Sequence, residues 1–340
     1  IFIGLVGWIF SISVAFLYLK EKKENSNKTI KNNIKEEKPR VVVIGGGTGQ
    51  SVFLRGLKHY TPNITAVVTV ADDGGGSGVL REDLGMLPPG DIRNCLLALA
   101  NIEPTMKEVM QYRFTEGALK GQSFGNLFLA AMNGLYGNFE VALYKMSQIF
   151  AITGKVLPVT LNDINLIAKL KNGKIVKGES RIPKEVKDDK TYIERVYLDE
   201  QDAVPLDEVI NSIENADIII MGPGSLYTSI IPNLLVNGVV DAIEKSKAPK
   251  VYICNIMTQP GETDDHNVLD HVNAIVKHTN KNIIDYVISN NEVLPKEMID
   301  RYQKDGAKQV ILDDKQRKIL KTMGAKTIEE NLIEIKNNYI

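Results

Sequence analysis

Three aspartates stand beside glycine-rich turns: Asp72, Asp73 and Asp91. They are the candidates for acid–base work or cation binding, because no Ser-His-Asp set and no cysteine nucleophile is evident from spacing. Asp72 and Asp73 lie in T-V-A-D-D-G-G-G-S-G, residues 69–78, which includes Gly74, Gly75, Ser77 and Gly78. Adjacent carboxylates next to a phosphate can hold Mg²⁺, with Asp73 as the metal ligand, or one can accept from a sugar hydroxyl. Asp-Gly also makes plain turns. Two aspartates, three glycines and a serine behind an apolar run exceed what a turn requires.

Four more runs share this grammar. V-V-V-I-G-G-G-T-G-Q-S, residues 41–51, brings a strand to Gly45, Gly46, Gly47, Thr48 and Gly49 and then opens a helix. Backbone N–H groups and the helix dipole there favour a phosphate. A tight strand-to-helix turn is the competing explanation, and the missing GK[ST] lysine disfavours P-loop hydrolysis. L-P-P-G-D-I-R-N, residues 87–94, offers Asp91 as an N-cap and sets Arg93 and Asn94 in the first turn. A cation is poorly placed there against the helix dipole, so an anionic partner for Arg93 is expected beside the simpler surface role. G-Q-S-F-G-N, residues 121–126, presents Asn126 to a base or sugar, or only caps a helix. I-I-I-M-G-P-G-S-L-Y-T-S, residues 218–229, ends a strand in Gly222, Pro223, Gly224 and Ser225, with Thr228 beyond as a hydroxyl. It is a second anion cradle, and two cradles in one sheet suit a diphosphate. Asn255, at a strand end, is a weaker candidate.

The elements that must position these loops read as an α/β domain beginning at Arg40. Continuous β-branched runs at 41–44 and 64–70 are strands buried on both faces, and a helix over 51–59 joins them into a parallel right-handed unit. Helices are expected over 91–99 and 124–135. Further strands are expected at 218–221, 251–255, 286–289 and 309–312, with a closing helix over 327–337. Short strands at 155–160, 165–170 and 174–179, with a turn at Asn172-Gly173, mark residues 155–204 as a small antiparallel insertion in a doubly wound, mainly parallel sheet.

Composition narrows the rest. In 340 residues the net charge is −1, so no basic field points to nucleic acid. Two cysteines and four histidines, none at metal-ligand spacing, exclude a disulfide scaffold and a cysteine zinc site. Residues 1–19 carry no charge and as a helix would span roughly 28 Å, about one hydrocarbon core. Lys20, Lys22 and Lys23 follow. We expect a single-pass membrane anchor at 1–19, a charged tether at 20–39 and a cytoplasmic domain at 40–340.

The ordered motifs Gly45-Gly46-Gly47-Thr48-Gly49, Asp72-Asp73-Gly74-Gly75 with Ser77-Gly78, Pro88-Pro89-Gly90-Asp91, Gly121 with Gly125-Asn126, and Gly222-Pro223-Gly224-Ser225 with Thr228-Ser229 resemble those of the bacterial gluconeogenesis-factor family. That family lies within the CofD-like superfamily of 2-phospho-L-lactate transferases. Gln122 stands where many relatives have histidine. The resemblance covers residue 39 to the C-terminus. It implies a Rossmann-like fold and a UDP-sugar ligand, chiefly UDP-N-acetylglucosamine, bound without an obligatory cofactor. It also implies a role in cell shape and envelope-precursor supply on gluconeogenic carbon, through partners such as an enzyme of amino-sugar synthesis. A homo-oligomer is expected. The transferase branch instead implies Mg²⁺ and transfer of a phospholactyl group from a guanosine diphosphate carrier.

Overall fold

The computed structural model describes residues 37–333, so the expected anchor and nearly all of the tether lie outside the described residues. β1 (Val41–Gly45) leads into α1 (Gly47–Leu57) and β2 (Ile64–Val68). Five helices follow: α2 (Gly75–Leu84), α3 (Gly90–Leu99), α4 (Pro104–Gln111), α5 (Phe124–Tyr136) and α6 (Phe139–Ile149). β3 (Lys155–Pro158) closes this half. An excursion then runs through β4 (Leu166–Leu170), β5 (Ile175–Lys177), α7 (Ile182–Asp188) and β6 (Ile193–Leu198). The second half is α8 (Asp207–Glu214), β7 (Ile218–Met221), α9 (Ile231–Leu234), α10 (Val239–Lys245), β8 (Lys250–Ile253), α11 (Val268–Thr279), β9 (Tyr286–Asn290), α12 (Lys296–Lys304), α13 (Asp314–Thr322) and β10 (Lys326–Glu330).

Seven strands form one sheet in the order β10-β9-β8-β7-β1-β2-β3, every neighbouring pair parallel. With the excursion set aside, this is the 3-2-1-4-5-6 order of dinucleotide-binding sheets plus one strand. Strands inside such a sheet bury both faces, which is why Val41, Val42, Val43 and Ile44 can all be apolar; none is more than 2% exposed. The buried Gln50 of α1 donates to the carbonyls of Val43 and Val67 at 2.9 and 3.2 Å, tying that helix to both strands. The order reverses between β1 and β7, where Ile44 pairs with Met221.

Three expectations change. Residues 155–158 are a strand but join the parallel sheet beside β2; the antiparallel sheet is β5-β4-β6 alone, within 166–198. The closing helix begins instead as a strand: Lys326–Glu330 adds to the open edge of β9, a pairing that local helical spacing does not anticipate. With that edge taken, residues 309–312 form no strand, only an isolated bridge from Gln309 to Met257. Among the described residues no single helix is long and apolar enough to cross a membrane.

Candidate functional site

The glycine loops after β1 and β7 flank the point where strand order reverses, and they touch. A Cβ placed on Gly49 would lie 2.9 Å from the Pro223 carbonyl oxygen, and one on Gly224 would lie 3.2 Å from that of Gly46. Gly46 is extended, so its need for glycine is crowding: a Cβ there would sit 2.8 Å from both Asp91 Oδ2 and Thr69 Cγ2. Gly47 opens α1 at φ 68, the left-handed region. Thr48 beside it is exposed.

Four helix N-termini, those of α1, α2, α3 and α5, are carried by the candidate loops. Their unpaired N–H groups give each end a partial positive charge. For α1, α2 and α3 the residue before the helix supplies no side-chain cap. At two of them a carboxylate does so instead, from another loop for α1 and from the same loop for α2. Gly47 N–H donates to Asp91, and Gly74 N–H donates to Asp72 Oδ1 at 2.9 Å. Ser77 also hydrogen-bonds Asp72, and Gly90 leaves room for that carboxylate. Gly75 turns with φ 49, and Gly78 lies against the backbone of Asp73. Asp73 points elsewhere. Its Oδ1 accepts from Ser180 N–H at 2.8 Å, so it clasps the excursion to α2. Buried Arg81 adds to that clasp, ion-pairing with Asp163 and donating to the Ile164 carbonyl at 2.7 Å.

The loop after β7 holds a carboxylate that comes from the segment after β8. Glu262, 3% exposed, accepts from the N–H groups of Tyr227 and Thr228, from Gln259 Nε2 and from Thr228 Oγ1 at 3.2 Å. Ser225 Oγ donates to Gln259 Oε1 at 2.6 Å. Glu179, from the excursion, hydrogen-bonds Thr228 as well. Burial and mutual repulsion push these acids up: Asp91 to about 6, with Asp72 adding to the effect, Glu262 to about 7 through burial, and Glu179 to about 8 through burial, Asp72 and Glu262. Burial also raises Asp72. Several of these groups therefore hold protons near neutrality.

On the other side, Arg93 is buried. It donates to Asn94 Oδ1 at 2.8 Å and toward the Met110 carbonyl at 3.5 Å, its stem filling the space left by Gly125. Burial and Arg113 lower its pKa. Arg93 Nε, Gln122 Oε1, Asn126 Oδ1 and Asn255 Oδ1 are enclosed without a partner, which is unusual for buried polar atoms. Asn255 follows β8, on the far side of β7 from the β1 loop.

Among the described residues no three His, Cys, Asp or Glu side chains converge to hold a metal. Of the sequence candidates, Asp72, Asp91, Gly45–Gly49 and Gly222–Ser225 form one crevice; Asp73 turns toward the excursion. Glu179, Glu262 and Gln259 are additions. Gln259 and Glu262 lie in T-Q-P-G-E-T after β8, the same strand-then-glycine grammar. Nothing in the spacing marks Glu179.

The sequence matches the family described as 2-phospho-L-lactate transferase CofD over residues 41–333. A Thermoanaerobacterium thermosulfurigenes protein is 62% identical over 302 residues, covering 89% of this chain and 92% of its own. The Bacillus subtilis (strain 168) gluconeogenesis factor is 46% identical over 305 residues, covering 89% and 94%. A crystal structure of a Bacillus halodurans protein matches with TM-score 0.84 and 45% identity, covering 88% of this chain and 95% of that one. With this match from end to end of the described domain, the chain belongs to the CofD family and groups there with the gluconeogenesis factors.

Proposed function

We propose that this chain is a UDP-sugar-binding regulatory protein. Its ligand is UDP-N-acetylglucosamine, and it controls envelope-precursor supply and cell shape on gluconeogenic carbon through an enzyme of amino-sugar synthesis. The supporting observation is the contact of Gly49 with Pro223 across the strand-order reversal, the crevice where α/β sheets of this order take nucleotides. The name gluconeogenesis factor borne by relatives supports the link to gluconeogenic carbon. Residues 1–19 anchor the chain in the membrane with the domain cytoplasmic; fractionation of cells with and without that segment tests this. Calorimetry of the full chain with UDP-N-acetylglucosamine tests the ligand. Saturable heat with a thermal shift is expected, and neither appearing refutes it.

A second reading, a Mg²⁺-dependent transferase, is favoured by the carboxylates beside the loops. Mg²⁺ usually takes one or two carboxylates plus substrate phosphates rather than a cage of protein ligands. With Asp73 held by Ser180, Asp72 is the better ligand. Turnover of a nucleoside-diphosphate carrier with Mg²⁺, lost in Asp72→Asn, would favour this reading.

A further inference from the structure

The sheet has a second opening, at the edge opposite the crevice. β1, β2 and β3 begin there with Val41, Ile64 and Lys155. α8 flanks these strand starts: Glu208 ion-pairs with Lys155, and Thr65 Oγ1 lies 3.5 Å from Ser212 Oγ. A groove of about 570 Å³ lies between helix and strands, within the size range of sites that take up a ligand. Val42, Pro62 and Ile64 give it an apolar lining. α8 and its cap turn Glu208, Asn211, Ser212 and Asn215 toward it, spaced i, i+3, i+4 and i+7 along one helical face.

The chain enters the domain at the mouth of this groove. Arg40 and Asn63 line it. Asn63 Nδ2 donates to the Lys38 carbonyl at 2.7 Å, and Thr61 Oγ1 donates to the Pro39 carbonyl at 2.7 Å. The preceding segment is thereby delivered to one place. Residues 25–35, N-S-N-K-T-I-K-N-N-I-K, carry Lys28, Lys31 and Lys35 with no acid. Ile30 and Ile34 are the only apolar side chains between residues 20 and 38. α8 has the opposite character, with Asp207, Glu208 and Glu214 and no cation. Asp207 and Glu214 stand four and three residues from Asn211, so they border the groove face. A fully extended chain carries Ile34 about 13 Å from the pinned Lys38 and Ile30 about 26 Å, while α8 is about 12 Å long. Both isoleucines therefore reach the groove.

We propose that residues 25–35 of this chain bind back into the groove beside α8. Ile30 and Ile34 cover Val42, Pro62 and Ile64, and the three lysines face Asp207 and Glu214. A short linker holds its segment at an effective concentration of order millimolar, so a contact too weak to retain a separate peptide is still filled. A chain arriving from residues 1–19 then meets the domain on the edge opposite the crevice, and the crevice opens away from the anchor. That orientation rests on the anchoring proposed above; the docking itself does not.

Disulfide trapping in the full chain tests this, because Cys95 and Cys254 are buried and leave introduced thiols to report. Ile34→Cys is paired either with Ser212→Cys, in the groove, or with His59→Cys. His59 is exposed and lies two residues from Thr61, so it is near the tether's entry but outside the groove. Under copper-phenanthroline oxidation the Ser212 pair should close within one chain at least ten times faster than the His59 pair. Asp207→Lys with Glu214→Lys should slow that closure about tenfold, and Lys31→Glu with Lys35→Glu should restore it, the signature of charges that face each other. Equal rates for the two pairs overturn the proposal, and this comparison decides the matter if the charge variants misfold. Disulfides that join two chains also overturn it, since the groove would then take a second copy's segment. Membrane fractionation and UDP-sugar calorimetry are separate measurements and can fail without touching it.

Discussion

Replacing Glu262 by glutamine isolates the charge that the β7 loop has buried. The carboxyl is 3% exposed and its pKa is raised from 4.5 to about 7 by burial, against the pull of Thr228, Tyr227 N–H and Gln259. The folded state therefore keeps a proton that the unfolded state has lost between those two values. Wherever the folded state binds more protons, stability falls as pH rises. The wild type thus has this contribution in full below the unfolded pKa and loses it by the time pH passes about 7. At about 1.4 kcal/mol per unit, the loss is about 2–3 kcal/mol between pH 5 and 8. Glutamine has the shape of the protonated acid and does not titrate. It also removes one of the charges that raise Glu179, so the second acid adds to the effect with the same sign. Urea unfolding of both proteins at each pH from 5 to 8 measures this. Glu262→Gln should gain on the wild type by about 2–3 kcal/mol from the acid to the alkaline end, whatever its starting offset. Parallel stability curves, or a gap that opens toward acid, would refute the reasoning.

Two further outcomes follow from the same geometry. Gly49→Ala drives a Cβ into the Pro223 carbonyl, a backbone atom that cannot swing aside; the overpacking cost of about 1–3 kcal/mol should exceed the roughly 1 kcal/mol that alanine gains in a helix, lowering the melting temperature by several degrees. Asp73→Ala removes the acceptor for Ser180 N–H, so hydrogen exchange at that amide should quicken about tenfold while the β1 and β2 amides stay protected; equal protection in both proteins would show that the clasp holds nothing.

The glycine loops were legible in the sequence because a backbone that must pass within 3 Å of another loop tolerates no Cβ, and glycine records this directly. The strands were legible for a similar reason: continuous runs such as residues 41–44 and 218–221 suit only positions covered on both faces. What the chain does not display is which strand lies beside which. Residues 309–312 and 327–330 are both plausible strands, and the one open edge of β9 decides between them. Ile328 and Leu332, four apart, imitate a helix for as long as that edge is ignored. Glu179 escaped notice because its role depends on an approach to Thr228 that no local spacing encodes.

The electrostatics sharpen what the crevice demands of a ligand. Both loops expected to cradle phosphate already hold a carboxylate on their amides: Asp91 on Gly47, and Glu262 on Tyr227 and Thr228. A phosphate arriving as a second anion about 4 Å from either would meet a repulsion of about 4 kcal/mol at the effective dielectric of a protein surface. Two things lift that barrier. Protons can do so, because burial raises Asp91, Glu262 and Glu179 to about 6, 7 and 8, so each can take up a proton within that range. A divalent cation shared between Asp72 and the phosphates can do so as well. The alternatives separate in one titration. If protons neutralise the crevice, affinity for a nucleoside diphosphate falls about tenfold per pH unit above 7 and is indifferent to Mg²⁺. If a cation does, affinity rises with Mg²⁺ and improves with pH as Asp72 ionises. A diphosphate that binds equally well at every pH with and without Mg²⁺ would mean that its charge sits away from Asp91 and Glu262, on the side of the crevice where Arg93 is buried.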